Sequence, residues 1–313
     1  MIPFRVVFLG TPRFAVPSLA ALAERETVTL VVTNPDRPSG RGRSVAMPPV
    51  KEEALRRGIP VYQPEKARAP ESVERIRAER PDLIVVVAYG QILPQAILDI
   101  PRLFCVNVHA SLLPKYRGAA PINWAIARGE TVTGVTIMRM DAGMDTGPML
   151  LARELPIGEE DTAGTMFDAL SRLGADALSD ALDRLREGTL REIAQDGAQA
   201  TYAPMLKKEH GAIDWAKSAR EVRDLVRGMT PWPSAATVHR GKALKVLSAA
   251  AREARGGAAA PGEVLSVGKD GIEVACGDGT LLLARVQPEG GKAMSAWDYA
   301  QGHRVGKGER LSR

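Results

Sequence analysis

Apolar runs alternate with helical patterns through the first two thirds of the chain. Residues 6–9 read as a strand, 14–24 as a helix, 28–33 as a strand and 50–57 as a helix. A helix over 72–80 follows, then strands over 83–88, 104–109 and 133–140. The run Leu83-Ile84-Val85-Val86-Val87 is apolar on both faces, which belongs to a parallel sheet covered by helices. The pattern predicts an α/β domain built on a doubly wound, mostly parallel, Rossmann-like sheet. Such sheets carry their sites in the crevice at the carboxyl ends of the strands.

A long helix is expected over 162–186, with Asp161 or Thr162 as its N-cap and Gly188 just past its end. The pattern then changes. After a connector over 197–208 and one more helix over 219–227, short alternating runs occupy 243–247, 262–267, 272–275 and 280–286. Gly277-Asp278-Gly279 suits a tight turn between two of them. The alanine- and glycine-rich stretch 249–257 reads as a flexible loop. Short, closely spaced strands predict a small C-terminal β-barrel, for which an OB-like form is one candidate. A chain of 313 residues is long enough for two domains, and the change of pattern divides it into 1–204 and 205–313.

Composition narrows the class. With 45% hydrophobic and 25% charged residues the chain is an ordinary globular protein. The first apolar run is too brief for a signal sequence or a membrane span. Cys105 and Cys276 fit neither a disulfide framework nor a CxxC metal site, so a reducing cytoplasm is the expected compartment and no metal is expected. No long apolar seam asks for a partner subunit, which points to a monomer. The net charge of +5 is unevenly spread, with 18 Lys and Arg against 12 Asp and Glu from Lys207 onward and 24 against 25 before it. That excess is either a solubility device or a footprint for a polyanion.

Two segments carry the candidate chemistry, Asn107-Val108-His109-Ala110-Ser111-Leu112-Leu113-Pro114 and Asp141-Ala142-Gly143-Met144-Asp145-Thr146-Gly147-Pro148. On a strand Asn107 and His109 share a face, with Val108 opposite. An amide, an imidazole and the Asp145 carboxylate suit acyl transfer to an amine. Amide and imidazole N–H groups stabilise an oxyanion, and the carboxylate takes the amine proton directly or through water. Neither cysteine has a neighbouring base at motif spacing and Ser111 lacks the Gly-x-Ser-x-Gly elbow, so no protein nucleophile is indicated. No GxGxxG follows the first strand, which argues against a nicotinamide cofactor.

These segments resemble the signatures of the enzymes that use 10-formyltetrahydrofolate as formyl donor. The resemblance implies that Asn107, His109 and Asp145 are catalytic and that Ser111, Leu112, Leu113 and Pro114 contribute to the folate site. The opening Gly10-Thr11-Pro12-Arg13-Phe14-Ala15 is also similar to the family, as is Tyr89-Gly90-Gln91-Ile92-Leu93-Pro94. In the latter, Tyr89, Gly90, Gln91 and Ile92 are implied at the pterin. The basic insertion Pro35-Asp36-Arg37-Pro38-Ser39-Gly40-Arg41-Gly42-Arg43 looks like the loop with which some members engage the acceptor stem of initiator tRNA. Arg41 matches the critical arginine there, with Arg37 and Arg43 beside it. Thr201-Tyr202-Ala203-Pro204-Met205-Leu206-Lys207-Lys208 and Pro231-Trp232-Pro233 resemble the junction to the OB-like, tRNA-contacting domain of those members. The implied acceptor is methionyl initiator tRNA, with 10-formyltetrahydrofolate as co-substrate.

Other readings stay open at this level. The acceptor is alternatively a nucleotide-linked amino sugar, a purine precursor or water, and a non-catalytic folate- or RNA-binding module is a reading of another class. Trp215, Trp232 and Trp297 are either barrel core or stacking platforms.

Overall fold

The computed structural model describes residues 2–39, 44–253 and 259–312. They form two compact units, one of residues 1–121, 132–156 and 167–203, the other of residues 122–131, 157–166 and 204–313. The second unit thus takes in two segments from within the stretch that the sequence pattern assigns to the first domain.

The chain begins with β1 (Arg5–Gly10), α1 (Val16–Arg25), β2 (Thr27–Val32), the short strands β3 (Arg37–Ser39) and β4 (Ser44–Ala46), and α2 (Pro49–Arg56). β5 (Val61–Tyr62), α3 (Pro70–Arg77), β6 (Leu83–Val87), α4 (Gln95–Leu98) and β7 (Phe104–His109) follow. After α5 (Pro121–Ala127) come β8 (Val132–Arg139), β9 (Met149–Pro156) and α6 (Ala163–Arg186). Proline at the first turn of α2 and α3, with Glu52 and Glu71 near their starts and Arg56 and Arg77 near their ends, matches the helix dipole. Thr162 caps α6, its hydroxyl accepting from the Thr165 amide at 3.2 Å.

In the first unit the main sheet has seven strands among the described residues, ordered β5-β2-β1-β6-β7-β8-β9, with β3 and β4 paired apart from it. Pairings from β5 to β7 are parallel. β8 runs antiparallel to both β7 and β9, an edge arrangement common on otherwise parallel sheets. The chain winds outward from β1 in both directions, so the crevice falls where the carboxyl ends of β1, β6 and β7 emerge. Val7, Leu9, Leu30, Val32, Ile84, Val86 and Cys105 pack one sheet face against Val73, Ile76 and Ile97. This core fixes the strands that present the site.

In the second unit, α7 (Ala219–Gly228) opens on a capping box in which Ser218 and Glu221 each accept the other's backbone amide. β10 (Ala235–His239), β11 (Lys242–Arg252), β12 (Val264–Gly268), β13 (Gly271–Ala275), β14 (Thr280–Pro288), β15 (Met294–Ser295), α8 (Ala296–His303) and β16 (Leu311–Ser312) follow. The antiparallel sheet is ordered β12-β13-β14-β11-β10-β16, with β15 on β14. It curls until Glu263, just before edge strand β12, bridges Arg310, just before the opposite edge strand β16. Gly262 makes that closure possible, because at φ +88° a β-carbon there would stand 2.3 Å from the Leu311 carbonyl oxygen. This curled sheet is the OB-like domain. Trp215 is core within it, its indole N–H donating to Thr237 Oγ1 at 3.0 Å, whereas Trp232 is exposed.

The alanine-rich stretch departs from its loop reading. Ala249, Ala250, Ala251 and Arg252 continue β11, paired with Leu283, Leu282, Leu281 and Thr280. A neighbouring strand satisfies this backbone whatever the weak strand preference of alanine. Residues 254–257 of that stretch lie outside the described residues.

Candidate active site

β7 ends in Asn107, Val108 and His109, and its register against β6 and β8 sets Asn107 between Val86 and Met138. Asn107 is half-buried, whereas His109 is 5% exposed. The ring is held from behind. Nε2 of His109 lies 3.0 Å from the Tyr116 carbonyl oxygen, which can only accept, so Nε2 carries the hydrogen and Nδ1 is the edge turned elsewhere.

That edge meets Asp145. Its Oδ2 stands 3.7 Å from Nδ1 of His109 and accepts from the Gly118 amide at 2.8 Å, while Oδ1 accepts from the Asn107 amide at 3.4 Å. Two of the three residues read as one constellation in the sequence, Asn107 and His109, therefore converge on the carboxylate of the third. The loop that carries Asp145 is organised by Asp141, whose Oδ1 accepts from the Gly143 amide at 3.1 Å and the Thr146 hydroxyl at 2.7 Å.

Side chains from farther along the chain complete the arrangement. Gln195 Nε2 donates to the carbonyls of Asp145 at 2.9 Å and Gly147 at 2.7 Å, and Gln195 Oε1 accepts from Arg117 Nε and Nη2. Gly118 is a required glycine: at φ +115° a β-carbon would stand 2.8 Å from the Ala203 carbonyl oxygen. Arg117, Gly118 and Gln195 carry no sequence motif of their own, and only the fold brings them here.

The Ser111–Pro114 turn is fastened to β8. Thr136, opposite His109 in register, donates its hydroxyl to the Ser111 carbonyl at 2.7 Å and accepts from the Leu113 amide at 3.1 Å. Ser111 is buried with its hydroxyl donating to the Lys115 carbonyl at 2.6 Å, so it is committed to the turn. Leu113 is buried, and Leu112 and Pro114 are partly exposed.

Tyr89, Gly90, Gln91 and Ile92 follow β6. Asn34, which the sequence reading passed over, holds them: its Nδ2 donates to the Tyr89 carbonyl at 2.8 Å and Thr11 Oγ1 at 3.0 Å, and its Oδ1 accepts from Gln91 Nε2 at 2.8 Å. Gly90 takes φ +85° and Ile92 is 90% exposed. Tyr89 turns its ring into the core, and burial pushes its hydroxyl up to about 12.

Of the basic insertion, residues 35–39 are described, and Arg37–Ser39 form β3, which pairs antiparallel with β4; Arg37 lies opposite Ala46 and is exposed. Arg41 and Arg43 lie outside the described residues. Just before β3, Asp36 is an anchor, where Gln63 and Lys51 hold its carboxyl below the ordinary range.

Elsewhere the chemistry is muted. Burial pushes both cysteine thiols up to about 12, far from a reactive thiolate. A cavity of about 760 Å³ belongs wholly to the second unit, and part of its charged lining is paired, Lys217 with Glu221 and Asp224 with Arg227. Among the described residues no group of three or more His, Cys, Asp or Glu could hold a metal ion, and no helix is long and apolar enough to cross a membrane.

Residues 4–182 match the family model for the formyl transferase domain, and residues 205–304 match that for the formyl transferase C-terminal domain. The chain belongs to the formyl transferase family. The methionyl-tRNA formyltransferase of Citrifermentans bemidjiense is 54% identical over 100% of this chain and 98% of its own length, and that of Acetivibrio thermocellus 54% over 98% and 99%. Among solved structures, HypX from Aquifex aeolicus in complex with tetrahydrofolic acid aligns over 98% of this formyl transferase and 48% of its own chain, at 19% identity and a TM-score of 0.62. This chain therefore spans about half of HypX. The N-formyltransferase of Helicobacter canadensis, in complex with folinic acid and dTDP-3-aminofucose, aligns over 90% and 99% at 18% identity and a TM-score of 0.65. At such identities the likeness shows the fold alone.

Proposed function

We propose that this formyl transferase moves the formyl group of 10-formyltetrahydrofolate to the amino group of methionyl initiator tRNA, acting as a cytoplasmic monomer. The observation that carries the chemistry is the convergence of Asn107, His109 and Gly118 on the Asp145 carboxylate. The acceptor rests on the relatives of 54% identity, which are methionyl-tRNA formyltransferases.

In this reading the amine nitrogen attacks the formyl carbon, a C–N bond forms, and the carbonyl oxygen gains negative charge. Asn107 donates to that oxygen. With Nε2 committed to Tyr116, His109 has Nδ1 left to serve that oxygen, donating to it when that nitrogen carries a hydrogen, and Asp145 stands 3.7 Å away to orient the ring. Asp145 then accepts the amine proton, directly or through water. The bond from the formyl carbon to N10 breaks, N10 takes a proton, and tetrahydrofolate leaves. No formyl-enzyme forms, in keeping with two buried thiols and a serine hydroxyl bound to a carbonyl.

The donor is assigned to Ser111, Leu112, Leu113 and Pro114 on one side and Tyr89, Gly90, Gln91 and Ile92 on the other. Support comes from the exposed apolar face of Ile92 and from backbone that Thr136 and Asn34 hold rigid. The tRNA is assigned to Arg37, Arg41 and Arg43 and to residues 205–313, with 1–204 as the catalytic domain. Support comes from the exposure of Arg37 and the excess of Lys and Arg over Asp and Glu from Lys207 onward.

A comparison of acceptors with 10-formyltetrahydrofolate tests the assignment. Methionyl initiator tRNA is expected to be formylated well ahead of methionyl elongator tRNA, a nucleotide-linked amino sugar or a phosphoribosyl amine. Preference for either small amine, or release of formate alone, would refute it.

A further inference from the structure

Asp145 holds an unusual backbone. Its φ is +53°, in the left-handed region that a side chain with a β-carbon seldom enters, so something must hold it there. Two neighbouring residues, Arg117 and Gly118, grip it from both ends. Gly118 donates its amide to the carboxylate Oδ2 at 2.8 Å. Arg117 acts through Gln195, whose Oε1 accepts from Nη2 at 2.7 Å and Nε at 3.1 Å, and whose Nε2 donates to the Asp145 and Gly147 carbonyls at 2.9 and 2.7 Å.

The orientation of the Gln195 amide follows from its neighbours. A guanidinium only donates, so the amide must present its oxygen to Arg117, and its two N–H groups are thereby aimed at the two carbonyls. Arg117 is itself fixed, 6% exposed, with its backbone N–H donating to the Thr201 carbonyl and its own carbonyl accepting from Ala203. The charge on Arg117 polarises the amide and strengthens both of its donated bonds.

We infer that Gln195, oriented by Arg117, is a positioning residue that sets the Asp145 carboxylate against His109 for formyl transfer. The inference rests on the reading of Asp145 as a group that touches the reacting atoms. Gln195 itself touches none of them and acts only through the loop.

Gln195→Glu separates this role from bulk stability. Glutamate keeps the side-chain size and still accepts from Arg117, but it removes both N–H donors and sets a carboxylate against two carbonyls. Turnover of Gln195→Glu and Gln195→Ala should be measured with 10-formyltetrahydrofolate and methionyl initiator tRNA, beside Asp145→Asn and with thermal melting as a check on folding. Both Gln195 variants are expected to lose about ten- to a hundredfold in kcat, the scale of a misplacement of order 1 Å, with KM for both substrates within about threefold of the parent. Rescue of kcat in Gln195→Glu relative to Gln195→Ala would show that only the Arg117 contact mattered and would overturn the inference. So would parental kcat in folded Gln195 variants while Asp145→Asn is impaired. Parental kcat in Asp145→Asn would instead refute the underlying reading of the site, and the inference with it.

Discussion

Nδ1 of His109 faces Oδ2 of Asp145 at 3.7 Å, with the ring's other nitrogen already bound to the Tyr116 carbonyl. The spacing suits a charge partner more than a closed hydrogen bond, and catalytic contacts of this kind commonly tighten only when substrate is bound. Replacing Asp145 by Asn keeps the shape and removes the carboxylate charge, and with it the proton acceptor of the proposed mechanism. Asp145→Asn is expected to lower kcat by about 10²- to 10⁴-fold, the range of general acid–base catalysis. Donor affinity, read by equilibrium titration with 10-formyltetrahydrofolate, should stay near that of the parent.

Asn34 ties the ends of three strands together through Thr11, the Tyr89 carbonyl and Gln91. Asn34→Ala removes these bonds while the Tyr89 carbonyl still accepts from the Thr11 hydroxyl at 3.2 Å, so the cost is that of the lost hydrogen bonds, about 0.5–1.5 kcal/mol each. A urea denaturation series should register the loss. Steady-state kinetics should show a raised KM for the folate donor and a nearly unchanged response to tRNA concentration. An unchanged donor KM would mean that the 89–92 segment does not meet the pterin.

Glu309 makes the second unit acid-sensitive. His239 Nε2, with the Gly306 amide and Arg240 beside it, holds the Glu309 carboxyl down to about 2 from an ordinary 4.5. A depressed carboxyl contributes stability above its unfolded value and loses it as pH falls through the folded one. The window here therefore runs from 4.5 down to about 2. The urea midpoint of the parent should fall across that window more steeply than that of Glu309→Gln. Equal slopes would remove Glu309 from the account.

The basic segments predict a salt response. Each Lys or Arg bound to phosphate releases condensed counterions, so tRNA affinity should fall linearly with salt on logarithmic axes. Arg41→Ala should flatten that slope by about one contact and raise the tRNA KM, leaving the folate KM unchanged. A salt-insensitive parent would contradict tRNA docking through these charges.

Much of this was readable from residue pattern because the strands that build the crevice are buried on both faces. Leu83–Val87 is apolar throughout, and Asn107 and His109 interrupt an otherwise apolar β7 with the alternation that puts both on one face. β9 escaped because it is buried at one end and largely exposed at the other, with Arg153 and Glu154 in its middle. β10 escaped because its buried positions include Ala235 and the polar Thr237 and His239. His239 is paid for by hydrogen bonds to Tyr299 and Glu309, each at least 60 residues away. Gln195 and Arg117 lie 78 positions apart, and no local pattern announces a contact of that range. The antiparallel course of β8 was likewise hidden, since burial on both faces speaks for a covered sheet and not for strand direction.

Rapid-quench single turnover tests the central claim most directly, using formyl-labelled 10-formyltetrahydrofolate, methionyl initiator tRNA and either the parent protein or folded Asn107→Ala and His109→Ala. The account predicts label passing from donor to tRNA with none on the denatured protein, and a transfer step slowed by about 10²- to 10³-fold in Asn107→Ala and severely in His109→Ala with both substrates still bound. A formyl-protein intermediate, or parental single-turnover rates in either variant, would contradict it.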